Sequence, residues 1–406
     1  MENNKRNYFW NTIGTGAISF ISLFLMIIVT RINGIENAGV FSFSFSSACI
    51  INIFALYCGR TFQVTDDNSE ISEQTYIVTR ILTSIVGLLI SVLFCLLNSY
   101  YFEKSIVFII LCAVKSIEAI CDLFYGMNQK REKLYIAGKS MFYRTIVSIT
   151  AFLLIDLITH NLLISCITLL IVTILFMYFY DYYSAKKIMN LKISINKQEI
   201  KLLIQRAFYT CCFSLIVMVA INIPKYAIDY FSTSKVQAIY GIISMPATFI
   251  MLFGQFILQP SLTSLADSYY KKDKLKFKKI VNRISLCIFG SLIIILPLAY
   301  FFGIPVLNLI YGVSLNEYRL LLIIIIVGAA FYAVSQVLLN ALITIRCTKE
   351  QLYLQLFTLV ISVLIAIVFV KFWGLNGSVY SYFTILVLQF IFYYILYKVQ
   401  LKIKFK

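Results

Sequence analysis

Two groups of charged residues fall inside stretches that are otherwise apolar, and their spacing suits the handling of ions more than the making or breaking of bonds. Lys115 is followed by Glu118 and Asp122 at offsets of three and seven, which places all three on one face of a helix. Asn222, Pro224, Lys225 and Asp229 form the second group. Lys225 and Asp229 are one turn apart, and the proline removes a backbone donor and frees a carbonyl. An ionised side chain in hydrocarbon costs about 2.5 to 3.5 kcal/mol on insertion scales, so such residues usually face a bundle interior or a wet cavity.

Each group admits two readings. Lys115 can be neutralised by Glu118, and Asp122 by Arg80, or the stripe can meet an anion in a cavity. Lys225 and Asp229 can pair and snorkel to an outer interface, or act on a substrate or a gate. Arg31 and Arg144 read first as interfacial anchors, but a polyanion crossing the protein needs cations at more than one depth. The candidate substrate-binding residues are therefore Lys225, Lys115, Arg31, Asn222, Arg80 and Arg144, and the candidate gating or ion-coupling residues are Pro224, Asp229, Glu118 and Asp122.

Nothing else in the chain suggests a reaction centre. There is no Walker motif, nucleophile elbow or zinc-hydrolase signature, so no enzyme activity, ATP site, cofactor or metal is expected. His160, the single histidine, has no carboxylate or cysteine at ligand spacing and reads as an interfacial residue. The ten cysteines are scattered through apolar segments, with only Cys211 and Cys212 adjacent, and read as small apolar side chains. Gly14 and Gly16 lack a preceding strand and a following Lys-Ser/Thr pair, which favours close helix packing over phosphate cradling.

The elements that must position these charges are membrane helices. The chain has 406 residues, 61% of them hydrophobic and 13% charged. Apolar stretches of about 20 residues, enough to cross about 30 Å of hydrocarbon, recur along it. Twelve spans are predicted, at 11–31, 39–58, 77–97, 106–126, 141–158, 161–182, 208–231, 240–262, 282–302, 318–345, 352–372 and 377–397. Alternate connections are rich in Lys and Arg, such as Lys130 to Arg144, Lys186 to Arg206 and Lys271 to Arg283, while the others hold only Arg31, Lys104, Lys235, Arg319 and Lys371. That asymmetry places both termini in the cytoplasm. The first span follows Lys5 and Arg6 with no small-residue cleavage site and is expected to remain as a mature helix.

The same asymmetry accounts for the net charge of +17 without nucleic acid, because basic loops face anionic membrane lipids. The segments Lys186–Arg206 and Tyr269–Lys279 interleave Lys with apolar residues and are expected to lie on the membrane surface. The connection from Ser184 to Ala207 leaves six spans on each side, which predicts two six-helix bundles, 1–200 and 201–406. A faint echo between Ala38-Gly39-Val40-Phe41-Ser42 and Tyr240-Gly241-Ile242-Ile243-Ser244 is consistent with related halves. The fold class is all-α and integral to the membrane.

Several segments resemble the bacterial polysaccharide-type flippases, the O-antigen and capsule repeat-unit translocases of the multidrug/oligosaccharidyl-lipid/polysaccharide superfamily. They are Asn33 to Gly39, Arg60 to Asp66, Asp122 to Gly126 with Gln129, Gly138, Ser140 and Arg144, then Asn222 to Asp229, Tyr240 to Pro246 and Pro260 to Ala266. The likeness runs from the first span to the tenth. It implies a MATE-like fold of two six-helix bundles in the cytoplasmic membrane of a bacterium, alternating access around a cationic cavity, and an oligosaccharide carried on a polyprenyl pyrophosphate. Polymerase and chain-length proteins of the same pathway are implied partners.

A pyrophosphate headgroup needs cations such as Lys115, Lys225 or Arg31, and sugars need amides and aromatic faces, here Asn52, Asn222, Gln255, Gln336, Asn340 and many tyrosines. Moving negative charge outward through an inside-negative membrane is favourable by about 2.3 kcal/mol per charge per 100 mV, so coupling needs no ATP. A multidrug or cation exporter driven by Na⁺ or H⁺ antiport would instead use Glu118, Asp122 or Asp229 as its ion site. A scaffold for polymer-assembly enzymes would tolerate neutralising every intramembrane charge.

Overall fold

With no water in the hydrocarbon, each backbone N–H and C=O must bond within its own segment, and the apolar runs fold as helices for that reason. The computed structural model describes residues 2–57, 59–64, 71–187 and 196–405. The last two residues of the Arg60–Asp66 segment and the middle of the Lys186–Arg206 segment lie outside them. Twelve long helices follow in chain order. The first six are Glu2–Ile32, Gly34–Leu56, Glu73–Leu97, Phe102–Lys130, Leu134–Thr159 and Leu162–Lys186. Lys197–Phe231, Ser234–Leu258, Lys274–Leu298 and Arg319–Thr344 are the seventh to tenth, and 348–373 and 375–404 are the last two. Gly374, at φ 52° and ψ −123°, separates that final pair, a conformation for which glycine has no Cβ penalty. Ten helices are long and apolar enough to cross a membrane by composition, the last pair counting as one. The fourth span falls outside that group because of the charges examined below.

The third span shows which solvent the fold is built for. Its outward face carries Ile81, Leu82, Ile85, Leu89, Leu93 and Leu96, all exposed, while its inward face is Thr83, Ser84, Gly87, Ser91 and Cys95. Large apolar side chains outside and small or polar ones inside is the packing of a helix surrounded by lipid. The chain is a multi-pass membrane protein.

Predicted and observed spans agree in number and order, but several helices are longer than the apolar run that betrays them. The seventh starts at Lys197, not near residue 208, and the ninth at Lys274, not near 282. Hydropathy marks hydrocarbon thickness, whereas the helix continues through the headgroups. The described parts of the two segments expected to lie on the membrane surface are largely ends of spanning helices. Side-chain caps close several starts: Ser72 accepts from Thr75 N, Asn161 from Leu163 N and Ile164 N, and Asp273 from Lys276 N. His160 ends the fifth span in the left-handed conformation, at φ 47° and ψ 35°.

The chain divides into two compact units, Met1–Leu215 and Ile216–Lys406. In the first, Tyr76, Leu123, Phe124, Met127, Ala185 and Leu203 form a buried cluster joining the third, fourth, sixth and seventh helices. The two segments of the sequence echo each contribute buried residues to their own unit.

The first and fifth spans cross at backbone contact. A Cβ on Gly138 would collide with the carbonyl of Trp10 and lie 2.6 Å from Asn11 N, and one on Gly14 would strike the Gly138 carbonyl, whereas Gly16 has open space around it. Gly138→Ala is therefore expected to destabilise by about 1–3 kcal/mol and to lower the thermal midpoint of the purified protein. Gly16→Ala should leave that midpoint unchanged.

Candidate functional site

In the first unit, five helical segments converge on a charged cavity of about 210 Å³, lined by Asn52, Arg60, Glu118, Asp122, Tyr125 and Arg144 with Thr15 and Ser19 at its side. At about 30 Å³ per molecule, that volume is worth roughly seven waters.

The fourth span supplies the acids. Lys115 Nζ donates to Glu118 Oε2 at 2.7 Å, as the i, i+3 spacing allows, and lies 4.7 Å from the centre of the Phe45 ring. Glu118 and Asp122 line the cavity. Arg144 Nη2 approaches Glu118 Oε1 to 3.6 Å, so Glu118 serves two cations. Arg144 is 4% exposed, and it is not the interfacial anchor suggested by its position in the sequence. The fifth helix begins at Leu134, and Arg144 sits in its third turn, inside the bundle.

Asp122 pairs with Arg60 at 3.7 Å, not with Arg80. The cause is the short helix Gly59–Val64, which folds back onto the fourth span. It can do so because Gly126 has no side chain: a Cβ there would overlap Gln63 Oε1 and lie 3.4 Å from Arg60 Cγ. Gln63 Nε2 donates to Glu73 Oε2 at 2.8 Å, and Glu73 also holds Lys130 at 2.8 Å, which pins the short helix to the third and fourth spans. Arg80 is buried, at 2% exposure, with neither terminal nitrogen hydrogen-bonded among the described residues.

The two cavity arginines are held loosely. Separations of 3.6 and 3.7 Å are beyond good hydrogen-bond length, so these pairs attract without consuming donors. The Nη1 atoms of both Arg60 and Arg144 are buried without a hydrogen-bond partner among the described residues, as is Asn52 Oδ1. An anion reaching the cavity would find directed donors, the preferred partners of phosphate oxygens.

One wall has features that the sequence reasoning missed. Tyr125 Oη and Ser140 Oγ share a hydrogen bond of 3.1 Å, and Asp181, 2% exposed, lies near both and in the field of Arg144. Asp181 belongs to a π-helical turn, Met177–Tyr182, a distortion that often marks functional sites. A lone acid in an apolar run was the available signal. Asp156, also buried, is bound by Asn33 Nδ2 at 2.6 Å and Ser165 Oγ at 2.7 Å and ties the connection between the first two spans to that between the fifth and sixth.

The remaining nominated residues are not in this cavity. Arg31 is exposed in the last turn of the first helix, where a cation complements the helix dipole. Asn222, Pro224, Lys225 and Asp229 belong to the second unit. The seventh helix continues through Pro224, and Asn222 Nδ2 donates to Met218 O at 2.9 Å, while Lys225 and Asp229 are half-buried. Asn340 Nδ2 likewise binds the Gln336 carbonyl at 2.8 Å.

The fold is that of the MATE-like transporters. A multidrug resistance MATE family transporter of the MOP superfamily superposes with a TM-score of 0.77 at 13% identity, covering 95% of each chain. The lipid II flippase MurJ gives 0.74 at 14% identity, covering 95% of this chain and 87% of that one. In sequence, the chain is similar to the capsular polysaccharide biosynthesis protein CapF of Staphylococcus aureus, 25% identical over 334 residues that span 80% of this chain and 82% of the relative. No protein-family model matches it.

Proposed function

We propose that this protein is a flippase of capsular polysaccharide biosynthesis, moving polyprenyl-pyrophosphate-linked oligosaccharide repeat units from the inner to the outer leaflet of the bacterial cytoplasmic membrane by alternating access. The observation that carries the proposal is the pair of buried guanidinium nitrogens of Arg60 and Arg144, unpartnered among the described residues, in one cavity of about 210 Å³. A diphosphate offers several acceptor oxygens to such donors, and the carboxylates of Asp122 and Glu118 balance the arginines until it arrives. The likeness to the capsular protein and to a lipid II flippase supports the same reading. Lys115 orients Glu118, and Arg80, Arg31, Asn222 and Lys225 are proposed as further contacts along the path. Pro224 and Asp229 are proposed as gating elements.

Mass spectrometry of polyprenyl-linked glycans tests this directly. Cells lacking the protein should accumulate a repeat unit on its carrier, and the wild type should clear it. Arg60→Gln and Lys225→Ala should each leave most of it in place with normal membrane levels of protein.

A cation exporter is the competing reading, favoured by the two acids of the cavity and by the multidrug transporter fold. It predicts no accumulated glycan, together with drug sensitivity that Asp122→Asn reproduces.

A further inference from the structure

The ninth span has an exposed basic face apart from the charged cavity. A shallow groove is formed by Leu275, Lys278, Lys279, Asn282, Arg283 and Leu286, which repeat at intervals of three and four and so share one face about 18 Å long. The opposite face, Phe277, Val281, Ile284 and Ile288, is buried in the second unit.

Three observations give the groove a chemistry. Asp267 takes Lys271 at 2.9 Å and Lys276 at 3.8 Å, leaving Lys278, Lys279 and Arg283 with no ion-pair partner among the described residues. No acid occurs between Asp273 and Glu317, and no charge of either sign between Arg283 and Glu317, so Arg283 is the last charged residue before the hydrocarbon. Finally, a cleft of about 310 Å³ opens from the same face, sharing Asn282 and Leu286 and lined by Phe289, Leu338, Phe390 and Tyr394. Cations at headgroup depth beside an aromatic cleft match a molecule with a phosphate at one end and a hydrocarbon chain at the other.

We propose that this composite cleft binds one anionic phospholipid of the inner leaflet, with its phosphate on Lys278, Lys279 and Arg283 and one acyl chain between the ninth, tenth and twelfth spans. A basic surface alone would attract such lipids without ordering them. The adjoining apolar cleft makes the site discrete, and it does not depend on the cargo the protein moves.

Cys287 is exposed beside the groove and provides a reporter. The full-length protein, with its other cysteines replaced by alanine and bimane on Cys287, is placed in nanodiscs. Nitroxide-labelled phosphatidylglycerol or phosphatidylcholine is then titrated in. Phosphatidylglycerol should quench at least about fivefold more effectively, in line with the attraction of clustered basic residues for anionic lipid. Lys278→Gln/Lys279→Gln/Arg283→Gln should abolish the preference, and the control Lys186→Gln/Lys187→Gln/Lys201→Gln should retain it.

Native mass spectrometry of phosphatidylglycerol retained by the proteins with native cysteines provides a second measurement if labelling disturbs the fold. The triple variant should lose one bound lipid. The proposal is overturned by equal quenching from the two lipids, by equal loss in the control variant, or by displacement of the labelled phospholipid with substoichiometric polyprenyl phosphate.

Discussion

Arg144→Ala is expected, on the proposed flippase function, to cut polysaccharide export by about 10- to 150-fold, the loss of a charge-assisted hydrogen bond to the cargo worth roughly 1.5–3 kcal/mol. The guanidinium is 4% exposed, faces Glu118 at 3.6 Å and keeps one nitrogen without a hydrogen-bond partner among the described residues. Its removal takes away half of the paired anion donors of the cavity. The Lys115–Glu118 bond, at 2.7 Å, remains, so Glu118 is not left buried and alone, and the protein should still insert and fold. Arg144→Lys keeps the charge but loses the planar fork, and an intermediate defect is expected. Measuring surface polymer against membrane protein level in complemented cells separates transport from abundance. Full export by Arg144→Ala would remove this residue from the path of the cargo.

Glu118→Gln should act first on stability. Lys115 is 7% exposed and Arg144 4%, and one carboxylate balances both. Breaking a buried ion pair from one side typically costs about 3–5 kcal/mol, because the partner charge is left uncompensated. A marked fall in the thermal midpoint in detergent is expected. Adding Lys115→Met to Glu118→Gln removes the stranded ammonium and should recover much of it. If Glu118→Gln alone melts with the wild type, the carboxylate is not the counter-ion of this cluster.

The twelve spans were legible because the bilayer imposes their length on any sequence that crosses it, and the Lys115–Glu118 contact because it is local to one helix. What depends on helices meeting was not legible. Arg60 looks like an ordinary inner-loop cation until a six-residue helix brings it back against Gly126 and Asp122. Arg144 looked terminal because the polar turns from Leu134 to Lys139 conceal where its helix starts. Asp181 required knowledge of which way a π-helical turn faces.

The balance of charge in the cavity has a consequence for the direction of a transport cycle. Arg60, Arg144 and Lys115 stand against Glu118, Asp122 and the wall residue Asp181, three cations against three carboxylates, so the vacant cluster is close to neutral when all are ionised. On the proposed function, a bound diphosphate makes that cluster negative. Across an inside-negative membrane, the loaded site would then be drawn outward by up to about 2.3 kcal/mol per charge per 100 mV for a full crossing of the field, while the vacant one returns with little force from it. On that function the carboxylates act as a counterweight: by neutralising the resting cluster they leave one static field to act on the loaded protein alone.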